Sequence, residues 1–275
     1  MQSPPPSLAS VRHVVLDMDG TIYRGGTLFP FTRPFLRQLG ALGIGYTFVT
    51  NNSSRSSRDY LAHLAHLDIA ADPAQLFTSA NATTAWLRAH RPEIRRIFAL
   101  ATSSLAVELQ EAGFALTRDD PTDRPDAVVV AFDTTLAYPR LCRAAHWIAL
   151  GLPYYATHPD RICPTDEPTV LVDCGSICAA LEQAAGRPPD RVFGKPDPEM
   201  LAGIRRRHGH QPGEIAMVGD RIYTDMAMAR AAGCPGVLVL TGEATVDDAR
   251  RAHPPPDLVL PDLTALGELL TKARR

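Results

Sequence analysis

An open α/β architecture built on a parallel sheet is the fold this sequence predicts, and three observations predict it. Helical patterns such as Tyr60-Leu-Ala-His-Leu-Ala-His-Leu67 alternate with short β-branched runs such as Asp126-Ala-Val-Val-Val-Ala-Phe132 and Pro235-Gly-Val-Leu-Val-Leu240, the pattern of strand and helix units. Four apolar stretches stop abruptly in polar residues just before a helical pattern begins. The chain has 275 residues, 45% hydrophobic and 21% charged, ample for a core and more typical of two domains than of one. No internal repeat is present.

Taken in order, the start Met1-Gln-Ser-Pro-Pro-Pro-Ser-Leu-Ala-Ser10 lacks both a basic region and an apolar stretch, and reads as a disordered tail rather than a signal peptide. Val14-Val-Leu-Asp-Met-Asp-Gly-Thr21 then reads as a buried strand running into a turn. Asp17 and Asp19, one residue apart, point to the same side of an extended backbone. Gly20 permits a sharp turn and the Thr21 hydroxyl is a candidate cap for the next element. Tyr46-Thr-Phe-Val-Thr-Asn-Asn-Ser-Ser54, Arg191-Val-Phe-Gly-Lys-Pro-Asp-Pro-Glu199 and Glu214-Ile-Ala-Met-Val-Gly-Asp-Arg-Ile-Tyr-Thr-Asp225 repeat the same grammar. Each has a bland alternative: Asp-Gly as an ordinary turn, Thr-Asn-Asn-Ser-Ser as helix capping, Gly-Lys-Pro as a loop with a solvated lysine. In one parallel sheet, however, all four ends share an edge, which gathers Asp17, Asp19, Thr50, Asn51, Lys195, Asp220 and Asp225 in one crevice.

Residues 81–186 contain none of these segments but have their own alternation, in Ile97-Phe-Ala-Leu-Ala101, Ser104-Leu-Ala-Val-Glu-Leu-Gln110, Val128-Val-Val130 and Leu141-Cys-Arg-Ala-Ala-His-Trp-Ile-Ala-Leu150. They predict a second, smaller α/β domain inserted between 1–80 and 187–275, with Arg187-Pro-Pro-Asp190 as a hinge back to the first.

The ordered set DxDGT, TNNSS, GKP and GDxxxTD resembles the four motifs of the haloacid dehalogenase superfamily of phosphohydrolases, and the TNN and GKPxP wording is similar to its NagD-like branch (subfamily IIA). The resemblance runs from Val14 to about Leu240 and includes Cys174-Gly-Ser-Ile-Cys178-Ala. It implies a doubly wound core with a large α/β cap that selects substrate. It also implies magnesium-dependent hydrolysis of phosphate monoesters. Fold alone does not establish function, so the residues must support the chemistry.

Four carboxylates and a phosphate dianion would face one motif cation, Lys195, and a like-charged pair at about 4 Å costs several kcal/mol even at an effective dielectric of about 20. A divalent cation balances this. Oxygen donors, with no histidine in any motif, point to magnesium; manganese also fits. Asp17, ionised at neutral pH, can attack phosphorus directly and form an aspartyl-phosphate. The leaving alkoxide needs a proton, and Asp19 is placed to give it, which requires a raised pKa and hence a packed site. Thr50 and Asn51 suit the phosphoryl oxygens, with Lys195 neutralising charge that develops in transfer. By the resemblance, Asp17, the Asp19 backbone carbonyl and Asp220 hold the metal, and Asp225 acts through water or orients Lys195.

For the substrate, the cap segments Thr157-His-Pro-Asp-Arg-Ile-Cys163 and Val172-Asp-Cys-Gly-Ser176 make His158, Asp160 and Asp173 the candidate contacts. The first resembles a family segment that usually reads Thr-Asn-Pro-Asp, from which His158 departs. Cys163 stands where vitamin-phosphate phosphatases of this branch carry histidine, which weakens a pyridoxal phosphate assignment. Sugar phosphates, nucleoside monophosphates, phosphoglycolate and p-nitrophenyl phosphate remain. The alternatives are a phosphomutase or phosphotransferase with the same intermediate, and a catalytically silent ligand-binding module.

A net charge of −2 offers no basic field for nucleic acid, and Arg205-Arg-Arg207 and Arg250-Arg251 read as solvated helix faces. No apolar run approaches a membrane span, so a cytoplasmic enzyme is expected. The five cysteines match no zinc or disulfide framework; Cys174 and Cys178, four apart, suit packing on one helix face. Caps of this type often serve as dimer surfaces in the family, which leaves a homodimer open.

Overall fold

The computed structural model describes residues 8–164 and 169–274. Of the N-terminal tail, 1–7 lie outside the described residues, whereas Leu8–Ser10 form a short 3-10 turn with Leu8 buried. The chain divides into two compact units, one comprising 1–49, 64–77 and 195–275, the other 50–63 and 78–194.

The first unit is built on a six-stranded sheet in the order Leu258–Leu260, Gly236–Val239, Ile215–Gly219, His13–Asp17, Gly45–Thr50, Leu76–Thr78. The pairings from Leu258–Leu260 through Gly45–Thr50 are all parallel. The central strands are buried at every position, which is why their sequences read as unbroken apolar runs rather than alternating ones. Numbered by chain order, the strands run 6-5-4-1-2-3, so the winding direction reverses between His13–Asp17 and Ile215–Gly219. At such a switch point the crossovers leave the sheet in opposite directions and open a crevice at the carboxyl ends.

The second unit has its own parallel sheet, ordered Arg191–Val192, Tyr154–Ala156, Ala127–Val130, Arg96–Leu100, Ala115–Leu116. One buried cluster centres on Val129, Tyr155 and Phe193. Another, centred on Val128, Trp147 and Tyr154, takes in both Cys174 and Cys178 from the helix Cys174–Ala185. Ile162–Pro164 and Val170–Val172 pair as a separate antiparallel hairpin.

Three expectations change. Arg191–Val192 was expected to end on the same sheet as Asp17, but it pairs with Tyr154–Ala156 in the other one. The preceding Arg187–Asp190 segment does not behave as a free hinge. Asp190 Oδ2 accepts from the Tyr154 backbone N–H at 2.7 Å, Arg187 pairs with Asp190 at 3.0 Å, and its guanidinium lies 5.4 Å from the Tyr154 ring centroid. A two-residue strand contains too little periodicity to reveal which sheet it joins. Arg207 also departs from a purely solvated role. It donates to the carbonyl of Leu76 at 2.8 Å and lies over the Phe77 ring.

Candidate active site

Asp17 is the last residue of its strand, and Asp220 follows the last residue of the neighbouring strand across the switch point. Sequence positions 200 residues apart are thus brought to one crevice by strand order alone. After Gly219 the chain enters a π-helical turn, Ile222–Met226, which contains Asp225. Such turns widen the helix by one residue per turn and frequently mark functional sites. Lys195 joins from the chain just after the second unit. Gly194 precedes it with φ +74°, a conformation open to glycine at little cost.

These four side chains are at most 10% exposed. The Lys195 ammonium donates to Asp17 Oδ1 and lies 2.8 Å from Asp225 Oδ1. Burial by itself would lower the lysine pKa, but Asp17 and Asp225 outweigh it and hold the group above its ordinary value. Among the described residues, no cation forms an ion pair with Asp220. Burial, and then the neighbouring Asp17 and Asp225 charges, push its pKa up to about 8, although the Arg221 charge nearby lowers it somewhat. Burial likewise lifts Asp225 to about 6, with Asp17 adding to the rise and Lys195 opposing it.

Carboxylate oxygens of Asp17, Asp220 and Asp225 lie within 4.8 Å of one another. Asp220 Oδ2 accepts from the Glu243 backbone N–H at 2.7 Å, while buried Oδ1 has no hydrogen-bond partner among the described residues. A buried carboxylate oxygen without a donor, facing two other acids, is an arrangement that a hard cation with oxygen ligands fits. Gly20 and Gly242 sit so close that a Cβ on either would run into the Asp220 carboxylate, and one on Gly219 would run into Asp225. The backbone therefore forms a glycine cradle around the acids. Gly20 has φ +80° and donates its N–H to Tyr23 at 2.8 Å, and Thr241 Oγ1 donates to its carbonyl at 2.5 Å.

Two side chains of the first motif depart from expectation. Asp19 is exposed rather than packed, so burial does not create the environment expected of a proton donor. Thr21 is fully buried and its hydroxyl has no hydrogen-bond partner among the described residues, so the expected cap is not formed there. The motif-only charge count also missed Arg221. Burial opposes its charge, yet Asp17 and other nearby acids raise its pKa, and it pairs with Glu243 at 3.0 Å.

Thr50 directly follows Val49, the register partner of Asp17. It ends its strand and is grouped with the second unit, as are Asn51, His158, Asp160 and Asp173. The Asn51 side-chain amide donates to both Asp160 oxygens at 3.2 Å, and the Asn51 backbone carbonyl accepts from Ser79 Oγ at 2.7 Å. His158 is fully buried, as is nearly all of Asp173, so neither presents surface as a substrate contact; Asp160 keeps partial exposure. Asp173 instead caps the helix Cys174–Ala185. The capping role open to Thr-Asn-Asn-Ser-Ser is not what Ser53 performs. Its hydroxyl meets Thr157 Oγ1 at 2.9 Å and the Phe132 backbone N–H at 3.0 Å. Ser53 and Arg221 lie within motif segments, but nothing local in the sequence assigned them these contacts, and nothing marked the Thr241–Glu243 turn.

Among the described residues, no helix is long and apolar enough to cross a membrane.

A family model described as haloacid dehalogenase-like hydrolase matches residues 14–115, and one described as HAD-hydrolase-like matches 192–266. An acid sugar phosphatase of Staphylococcus aureus is 30% identical over 256 residues, covering 93% of this chain and 96% of that protein. A 4-nitrophenylphosphatase of Thermotoga maritima superposes with a TM-score of 0.90 at 37% identity, covering 95% of this chain and 98% of that one. A glycerol phosphate phosphatase of Mycobacterium tuberculosis, solved with magnesium, gives 0.86 at 32% identity, over 96% of this chain and 79% of that one.

Proposed function

Because the chain belongs to the haloacid dehalogenase-like hydrolases and is a phosphoric monoester hydrolase among them, we propose that it cleaves small phosphate monoesters through a phosphoryl group carried on Asp17. The observation that carries this reading is the buried Asp17, Lys195, Asp225 and Asp220 constellation at the strand switch point. Asp17, in contact with the Lys195 ammonium, attacks through a carboxylate oxygen, and no separate base is required. As the ester bond breaks, the leaving oxygen takes a proton from Asp19, whose exposed side chain is open to the departing alkoxide. Asp19 then removes a proton from the water that hydrolyses the acyl-phosphate, which returns Asp17 to its starting state.

Lys195 has a second task in this reading. It is held by Asp225 as well as Asp17, so it stays in place when Asp17 becomes esterified and can neutralise the phosphoryl oxygens. Thr50 and Asn51 serve those oxygens through hydroxyl and amide. Asp17, the Asp19 backbone carbonyl and Asp220 would hold magnesium, or manganese in its place, and the bound ion would supply the positive charge that the acids and the phosphate dianion lack. Residues 78–194 select the leaving group, with sugar phosphates and glycerol phosphate as the favoured class. The names of the similar phosphatases support that class.

The test is release of inorganic phosphate from a panel of esters, p-nitrophenyl phosphate included, with magnesium and without an added acceptor. Turnover is expected in the wild type and none in Asp17→Asn, with the fold retained by circular dichroism. Release by Asp17→Asn at the wild-type rate would refute the nucleophile, and phosphate released only when an acceptor alcohol is added would make the enzyme a phosphotransferase.

A further inference from the structure

His158 departs from the asparagine of the similar Thr-Asn-Pro-Asp segment, and its surroundings are those of a cation. It is fully buried at the carboxyl end of the strand Tyr154–Ala156. Its Nε2 lies 3.4 Å from Asp173 Oδ1 and 3.2 Å from Ser53 Oγ, and its Nδ1 lies 3.7 Å from Asp160 Oδ2. Asp160 in turn receives the Asn51 amide on both oxygens. A chain of contacts therefore runs from Asp173 through His158 and Asp160 to Asn51, all inside the second unit.

The backbone around this chain is tightly held. Gly175 N–H donates to the Asp160 carbonyl at 2.8 Å, Asp173 N–H donates to the Arg161 carbonyl at 3.0 Å, and Ser176 Oγ reaches the same carbonyl at 2.7 Å. A Cβ on Gly194 would come within 2.6 Å of Asn51 Oδ1 and 2.7 Å of the His158 Cβ. The glycine of the third motif is thus the floor on which Asn51 and His158 pack. Two buried or half-buried carboxylates with nothing positive between them would repel each other and swing apart. A neutral amide at 158 can bridge them by hydrogen bonds but cannot cancel their charge.

We infer that His158 is a positioning residue: as an imidazolium between Asp160 and Asp173 it fixes the Asp160 carboxylate, which aims the Asn51 amide. This rests on the reading of Asn51 as a phosphoryl-binding group. The groups facing the imidazole are Asp160 from its own loop and Asp173 and Cys174 from the start of the following helix. Ser53 faces it from the 50–57 segment, and Cys178 stands one turn beyond Cys174. Burial opposes the charge, but the Asp160 carboxylate 3.7 Å from Nδ1, with Cys174 and Asp173 nearby, prevails and raises the pKa to about 9; Nδ1 itself has no hydrogen-bond partner among the described residues.

The experiment uses the full chain and two independent readouts. In the first, ¹³C and ¹⁵N spectra of labelled protein follow the His158 ring and the Asn51 side-chain amide against pH. The ring should be doubly protonated at pH 7.5 and titrate near pH 9. In Asp160→Asn its midpoint should fall by at least one pH unit, and the Asn51 amide resonances should shift in both Asp160→Asn and His158→Asn. This readout needs no turnover, so it decides the inference even if no ester is hydrolysed. In the second, kcat/KM for p-nitrophenyl phosphate should fall at least fivefold in His158→Ala. His158→Asn should fall nearly as far as His158→Ala at pH 7.5, since a neutral amide leaves the two carboxylates uncompensated, and should lack the decline expected of the wild type above pH 9. The double variant with Asp160→Asn should be no worse than Asp160→Asn alone. A neutral His158 ring at pH 7.5, identical alkaline limbs in wild type and His158→Asn, or additive losses in the double variant would each overturn the inference. So would one equivalent of a transition metal in purified protein that His158→Asn loses. If His158→Ala fails to fold, the spectra and the His158→Asn profile still decide.

Discussion

Asp220→Asn should make the metal-free protein more stable and the enzyme inactive, because the site stores electrostatic repulsion that a bound metal ion would relieve. The Asp220 carboxyl has its pKa raised from 3.8 to about 8 by burial and by Asp17 and Asp225. An acid with a raised folded pKa contributes its full stability at low pH, and that contribution is lost as pH climbs through the interval between the two values. Between pH 4 and pH 7 the unfolded chain gains from ionising Asp220 while the folded chain largely cannot, and the difference reaches about 4 kcal/mol at pH 7. Asparagine cannot ionise in either state. Its carbonyl can still accept from Glu243 N–H, which bonds Asp220 at 2.7 Å, and its amide can donate toward the acids. In EDTA at pH 7 the variant should therefore be more stable by up to about 4 kcal/mol, roughly 10 °C in melting midpoint for a chain of this size.

The assay is thermal and urea unfolding of wild type and variant from pH 5 to 8, in EDTA and in saturating magnesium. The gap between the two proteins should widen with pH in EDTA and shrink with magnesium, which binds the ionised wild type. Asp220→Asn should also fail to hydrolyse any ester. A variant no more stable than wild type in EDTA at pH 7, or a gap that magnesium leaves unchanged, would refute the reasoning. The comparison must be between proteins at each pH, since other groups titrate with the opposite sign.

His13 is such a group. Burial, with His208 and His210 adding to it, lowers its pKa from 6.5 to about 3; the ring centroids lie 4.5 and 5.2 Å away. Its folded form stays neutral while the unfolded chain takes up a proton below pH 6.5, so about 2 kcal/mol of stability should be lost between pH 8 and pH 5. Urea midpoints of His13→Asn should show a flatter acid limb than wild type, and parallel limbs would contradict the assignment. Gly242→Ala pushes a methyl group into the Asp220 carboxylate and should weaken magnesium affinity at least tenfold. Calorimetric titration that gives unchanged affinity would show that the cradle does not set the position of Asp220.

Asp17 and Asp220 were legible because each stands at the end of a short apolar run that gives way to a turn, and the hydrophobic pattern of a fully buried parallel strand shows in one dimension; Asp225 was legible only through its fixed spacing from Asp220 in the fourth motif. The two α/β units were legible for the same reason. Lys195 reaches Asp17 and Asp225 as its motif suggested, but the strand before it was expected on the wrong sheet, since Arg191–Val192 is too short for its neighbours to be read from periodicity. Asp19 was expected in packed surroundings and is exposed, because a turn residue's burial depends on what lies over it. His158 was expected to face a ligand and is buried between two acids. A loop carries no repeating pattern that says which way a side chain turns.

What the sequence determined by itself was chemistry: which acids, which ammonium group and which glycines the chain could bring to a site, since residue type and local spacing are one-dimensional facts. Only the tertiary structure decided how these groups neutralise one another. Strand order set Asp17 beside Asp220, the close approach of Gly20 and Gly242 confined that carboxylate, and Arg221 and Ser53 entered through contacts across long chain separations. Charge interactions and burial depend on distances between residues far apart in the chain, and those distances exist only after folding.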